Sequence, residues 1–198
     1  MILKTNLLKL SHNDLQPESG RLLISEPFLN EIYFQRAVIL MIEYTSEGAM
    51  GLVLNKSACI YLNDLLDELH QVSEKIPIYY GGPVHQDKLF YLHNLGELIP
   101  NSVKISEGLY IDGDFDIVKA YIRSGNTIEG HIRFFLGYSG WDYKQLQQEI
   151  EENAWLVAEN RMPSLINQEG NQFWKDCLLT LDSRYQRWLN YPLEPFLN

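Results

Sequence analysis

Short apolar, β-branched and aromatic runs alternate with breaks rich in glycine, proline and asparagine along most of this chain. The runs predict strands at Arg21–Ser25, Ala37–Tyr44, Gly51–Leu54, Ile78–Tyr80, Lys88–His93, Gly108–Ile111, His131–Leu136 and Trp155–Glu159. Elsewhere the period changes. Leu62, Leu65, Leu66 and Leu69 recur at helical spacing, and so do Phe115, Val118, Tyr121 and Ile122. Asp114 is placed to cap the second of these helices and Gly125 to stop it. A last helix is predicted from about Asn171 to Asn190, with Trp174, Cys177, Leu178, Leu181, Tyr185 and Trp188 on its apolar face. Pro192 ends it. The order is strand-rich, then helix, strands, helix, strand, helix, which is not the regular alternation of a doubly wound sheet. The pattern predicts an α+β fold. It is a single domain with a mixed, strongly bent sheet, a partial barrel, and helices packed on it. Residues 1–19 read as an N-terminal arm, with a short amphipathic turn around Leu7, Leu8 and Leu10, and residues 20–198 as the domain.

The segment His131–Trp155 carries the most local information. Gly137 and Gly140 bracket Tyr138 and Ser139, which predicts a turn after a buried strand, since glycine tolerates positive φ and close backbone approach. Asp142 suits the N-cap of a following helix, and Gln145 three residues on completes a variant capping box. Trp141 and Leu146 then stand at the two positions of a hydrophobic staple. Leu146, Ile150 and Ala154 share one helical face, Gln147, Gln148, Glu151 and Glu152 the solvent side, and Glu149 the edge between them.

These residues resemble a known family. Gly20–Pro27, Phe34–Ile39, Gly48–Asn55, Gly81–Val84 with Leu92-His93, Gly137–Trp141 with Gln145-Leu146, and the ending Glu194–Asn198 occur in the order typical of the YqgE/AlgH family of small bacterial proteins. Two positions depart from it. Asp142-Tyr143-Lys144 stands where relatives commonly continue with glycines, and Tyr44 where many carry histidine. The resemblance implies a bent α+β domain. It also implies the family's frequent label, transcriptional regulator, without a settled biochemical activity.

Composition narrows the function classes. A chain of 198 residues with 45% apolar residues is long enough for one sizeable core. The formal charge is -10, from 26 acidic against 16 basic residues, and no lysine- or arginine-rich run offsets it. That field repels phosphate backbones at long range. With no convincing helix-turn-helix, it weighs against direct DNA binding. No segment approaches the roughly 18 apolar residues that span a bilayer, and the N-terminus lacks the pattern of a secretory leader. A cytoplasmic protein without membrane partners is expected. Cys59 and Cys177 have neither metal-ligand nor C-x-x-C spacing and read as core thiols.

Candidate chemistry is sparse. Gly137-Tyr138-Ser139-Gly140 resembles a nucleophile elbow, but G-x-S-x-G needs glycine where Trp141 stands. Gly48–Gly51 ahead of Lys56-Ser57 lacks the glycine of a P-loop, since Asn55 precedes the lysine. His85 and His93 would share one face of a continuous strand, with His131 as a possible neighbour, but two imidazoles fall short of a zinc site. Gly81-Gly82-Pro83 is either a simple turn or a place where a ligand approaches the main chain. Arg36, Arg133, Tyr138 and Trp141 suit an anionic or planar ligand, or else packing and surface ion pairs. The candidate ligand-contacting set is therefore Arg36, Asn55, Gly81, Gly82, Pro83, His93, Arg133, Gly137, Tyr138, Ser139, Gly140 and Trp141. No catalytic constellation, metal site or cofactor motif stands out. The expectation is a non-enzymatic binding or regulatory protein with a protein or small-molecule partner. The alternative is an enzyme or ligand-binding site near Gly81–Pro83 and Gly137–Trp141.

Overall fold

The computed structural model describes residues 11–29, 31–161 and 165–192. The expected turn at Leu7, Leu8 and Leu10 and the chain ending lie outside them. The described strands are β1 (Leu22–Ser25), β2 (Val38–Tyr44), β3 (Gly48–Val53), β4 (Ser57–Tyr61), β5 (Pro77–Tyr80), β6 (Val84–His93), β7 (Val103–Ser106), β8 (Leu109–Ile111), β9 (Ile132–Asp142) and β10 (Trp155–Ala158). The helices are α1 (Leu62–Leu65), α2 (Phe115–Arg123), α3 (Gln145–Glu151) and α4 (Gly170–Leu179), with 3-10 turns at Asp67–Leu69 and Tyr185–Asn190. The strands form one ten-stranded, unclosed sheet in the order β10-β1-β2-β3-β9-β6-β8-β7, with β5 also on β9 and β4 on β5. The β5–β9 pair is parallel and the others antiparallel, so the fold is α+β with a mixed, partly barrel-like sheet.

All eight expected strands are present. The two that sequence reading missed, β4 and β7, are short. A register break also interrupts β4, where Cys59 takes φ +58, and hides its alternation. Helix α2 starts as expected. The Asp114 carboxylate accepts from the N–H groups of Asp116 and Ile117, the α2 stripe buries Val118 and Ile122, and Gly125 follows at φ +75.

Three expectations need correction. The first is the turn at Gly137–Gly140, because β9 runs straight through it. Gly137 takes φ +68 inside the strand, and this kink lets β9 change partners. Residues up to Tyr138 pair with β6 and β5, and Ser139 to Asp142 pair with β3. The second is the Asp142 cap. Asp142 is the last residue of β9, and α3 begins at Gln145 after Lys144 at φ +63, with no side-chain cap. Half the capping box survives, since Gln145 Oε1 accepts the Asp142 N–H at 3.0 Å. Trp141, Leu146 and Ile150 share one apolar cluster, while Ala154 lies beyond α3. The third is the final helix, which breaks after Leu179. Thr180 Oγ1 donates to Cys177 O and Asp182 Oδ1 accepts from Arg184 N–H, local bonds that compete with the helical ladder.

The core divides into three clusters. One lies between the sheet and α4 and includes Trp174, whose indole N–H reaches Ser25 O at 3.0 Å. A second lies under α1 and α2, and a third under α3 and β10. In the third, one oxygen of Glu149 accepts from the indoles of both Trp141 and Trp155, each at 2.8 Å. Buried Trp N–H groups need such a partner. Ahead of β1, the Asn13 side-chain amide bonds to both the N–H and the carbonyl of Val157 on β10. No helix among the described residues is long and apolar enough to cross a membrane.

Candidate functional site

The two glycine motifs meet. Gly81 N–H donates to Leu136 O at 2.8 Å, Val53 N–H donates to Gly81 O at 2.8 Å, and Ser139 Oγ donates to the same carbonyl at 3.2 Å. A Cβ at Gly81 would lie 2.2 Å from Gly137 O, and one at Gly82 would lie 2.3 Å from Tyr138 C. Glycine is required here because one main chain crosses another at contact distance. The space that a ligand would need at Gly81 and Gly82 is filled by β9. Pro83 is exposed beside them. Ser139 is fully buried and bonded to a carbonyl, and no histidine is among its bonded partners. On the outer side of the crossing, Tyr138, Gly140 and Trp141 line a shallow cleft of about 460 Å³ with Glu43, Met50 and Val84.

Arg36, Asn55 and Arg133 form a second group, and each holds the C-terminal segment by its carbonyls. Arg36 Nη2 donates to Tyr191 O at 2.6 Å and Pro192 O at 2.9 Å, with its guanidinium 5.0 Å from the Trp174 ring centre. Asn55 Nδ2 donates to Arg36 O and to Gly170 O, both at 2.9 Å, while its Oδ1 accepts Val38 N–H. Arg133 Nη1 donates to Ile166 O at 2.8 Å and to Gln168 O. Its guanidinium stacks 3.6 Å from the Tyr79 ring centre, and Tyr79 OH donates to Glu169 at 2.7 Å. Burial pulls the Arg133 guanidinium down to about 10, opposed by Tyr79 and Glu169, so it stays charged at neutral pH. Sequence reading missed Tyr79 and Glu169. Tyr79 looked like one more strand aromatic, and nothing local links either residue to Arg133.

His93 stands apart from both groups and is fully buried. Its Nδ1 accepts Leu95 N–H at 3.2 Å, so the neutral ring carries its proton on Nε2. That nitrogen faces Asp112 O at 2.9 Å and Ser102 Oγ at 3.0 Å. Ser102 in turn donates to Ile99 O at 2.7 Å. Serine, histidine and aspartate thus come together with the wrong polarity for a triad. The ring presents N–H to the serine, and the aspartate contributes its main-chain carbonyl. Burial lowers the His93 pKa and keeps the ring neutral. His85 does not share its face. It takes φ +48, sits exposed, and leaves the β6–β9 register broken between Val84 and Leu89. Among the described residues no group of three or more His, Cys, Asp or Glu side chains converges as a metal site would.

The candidates therefore fall into separate places. The expected grouping of Arg36, Arg133, Tyr138 and Trp141 does not form, because the arginines face the C-terminal segment while Trp141 sits in the cluster under α3. The sequence model of the AlgH-like family matches residues 22–186, which spans β1 to the last 3-10 turn. The chain belongs to the AlgH-like family. A UPF0301 protein of Bacteroides fragilis is 46% identical over 198 residues, covering 100% of both chains. A UPF0301 protein of Cytophaga hutchinsonii is 37% identical over 180 residues, 90% of this chain and 98% of its own. The solution structure of AlgH from Pseudomonas aeruginosa matches with a TM-score of 0.65 at 25% identity, over 93% of this chain and 95% of that one. A crystal structure from Corynebacterium diphtheriae shares the fold, with a TM-score of 0.72 at 22% identity over 92% and 95%. The AlgH-like names state no reaction.

Proposed function

We propose that this AlgH-like protein is a non-enzymatic binding protein, and that any regulatory effect passes through a small-molecule or protein partner. One observation carries the reading. The buried polar side chains that could serve as nucleophile or base already make structural hydrogen bonds, and the buried arginines and Asn55 brace the main chain. Arg36, Asn55 and Arg133 hold carbonyls, Ser139 holds Gly81 O, and His93 points an N–H at Ser102. A nucleophile needs an acceptor beside it to take its proton, and the Ser102–His93 contact offers a donor. The net charge of -10 argues against direct DNA contact. Two free thiols fit a reducing cytoplasm.

The test is a thermal-shift screen against nucleotides, metabolites, divalent metals and short nucleic acids. A ligand at about 100 times its Kd adds roughly 2.7 kcal/mol, a shift of about 5–10 °C at this size. Substrate turnover that a point change at Ser139 or His93 abolishes, with the fold intact, would overturn the reading. Saturable binding to a DNA duplex at low salt would overturn the indirect route.

A further inference from the structure

Arg133 is held by only part of its guanidinium. Nη1 makes the two carbonyl bonds, while Nε and Nη2 are buried without a partner. The residue is 3% exposed and lines a cleft of about 390 Å³. Nε–H and Nη2–H point the same way from one edge of the plane, the edge that grips both oxygens of a carboxylate. Stacking on Tyr79 fixes that edge in place. A buried cation with three of its five donors unsatisfied is an anion site in waiting, since a well-placed anion offsets the cost of leaving them unpaired.

The rest of the cleft refines the ligand. Ile76, Pro77, Ile128, Ile132 and Ile166 give apolar walls. The mouth carries Glu74, Glu129 and Glu169 against Lys75, an excess of negative charge. A dianion would be repelled there. A ligand with its carboxylate inward and a cationic group outward satisfies both ends. We infer that this cleft binds a small zwitterion of the α-amino-acid class with an aliphatic side chain, its carboxylate on the Nε–Nη2 edge of Arg133 and its ammonium toward the glutamates. Both nitrogens are covered from solvent, so a carboxylate reaches them only when side chains lining the cleft shift, and Asn167 and Glu169 are exposed members of that lining. The inference rests on the binding reading and names its ligand class.

The direct readout is the Arg133 Nε–H resonance in a ¹H–¹⁵N spectrum of the full chain, titrated with L-leucine, isovalerate and isovaleramide. Leucine is expected to move that resonance saturably, isovalerate to move it less, and isovaleramide to leave it in place. Arg133→Lys keeps a charge but loses the fork, and should weaken leucine binding by about tenfold or more. Because that change also removes the bonds to Ile166 and Gln168, Asn167→Trp provides the second arm. It plugs the mouth from an exposed position and should abolish the leucine response without lowering Tm. An Arg133 resonance that ignores leucine, or follows the amide equally, overturns the proposal, as does full leucine binding by Asn167→Trp. Hits of other chemistry in the thermal-shift screen would survive such a failure, so the two readings fail separately.

Discussion

The crossing of β9 over Gly81–Gly82 and the seat of the C-terminal segment are both buried, but they are built from opposite materials. At the crossing, backbone meets backbone at contact distance, with Ser139 Oγ bonding the Gly81 carbonyl from the side, so specificity comes mainly from the atoms that Gly81 and Gly82 lack. At the C-terminal seat, the side chains of Arg36, Asn55 and Arg133 donate to main-chain carbonyls, so specificity comes from where their donors point. The first design tolerates no added atom. The second permits graded loosening, because each clamp holds a different stretch of the segment.

The sharpest way to break that contrast is Gly81→Ala. Its new methyl would overlap Gly137 O, which lies in the strand core and cannot swing away. A loss on the order of 3–5 kcal/mol in urea unfolding is expected. A near-neutral result would mean that the crossing is plastic. Asn55→Ala comes next. It strips partners from Val38 N–H, Arg36 O and Gly170 O, for an expected loss of about 2–3 kcal/mol. If the seat is graded as argued, protease should also cut nearer Gly170 in this variant than in the parent.

His93 adds a pH arm. Burial lowers its folded pKa below the unfolded value of 6.5. The unfolded chain therefore binds more protons than the folded one between those two values. Stability from this group is complete above pH 6.5 and is lost as pH falls toward the folded pKa, with a slope of at most about 1.4 kcal/mol per pH unit. His93→Gln should flatten that part of the profile whatever it does to the absolute stability. An unchanged slope would move the titration elsewhere.

The smallest effects separate two aspartates. Asp114→Ala should cost about 1 kcal/mol, because Asp114 caps α2 with its carboxylate. Asp142→Ala should change stability by less than about 0.5 kcal/mol, since its carboxylate is exposed and caps nothing. Equal costs would mean that α3 starts earlier than Gln145.

Those two aspartates also show what the sequence made legible. Asp114 stands before a clean helical stripe that ends at a glycine, and every local signal agrees. Asp142 carries an equally good local signature, but its main chain is already committed to Gly48 across the sheet, and tertiary pairing overrode the cap. The eight strands with strong apolar runs were readable for the same reason as α2. The short strands β4 and β7 were not, because a positive φ or a run of only four residues hides the alternation. The candidate site was legible only as residues. Glycine at 81, 82 and 137 announced close approach, yet only the fold reveals that each motif is what the other approaches. Arg133 drew notice as an arginine beside aromatic residues. Tyr79 and Glu169, its neighbours from β5 and the start of α4, carried no local sign of it.

The kink at Gly137 has a consequence for how the molecule is made. Every strand that β9 joins lies earlier in the chain. Without it the sheet falls into three pieces, which are β10-β1-β2-β3, β4 with β5, and β6-β8-β7. A ribosome adding roughly 5–20 residues per second spends about 7–25 s on the chain before β9 emerges. Once each has been made, the edges of β3, β5 and β6 that pair with β9 wait for it. Joining the three pieces into one sheet therefore waits for β9. The nascent chain must be kept from pairing those edges with a neighbour until that strand arrives.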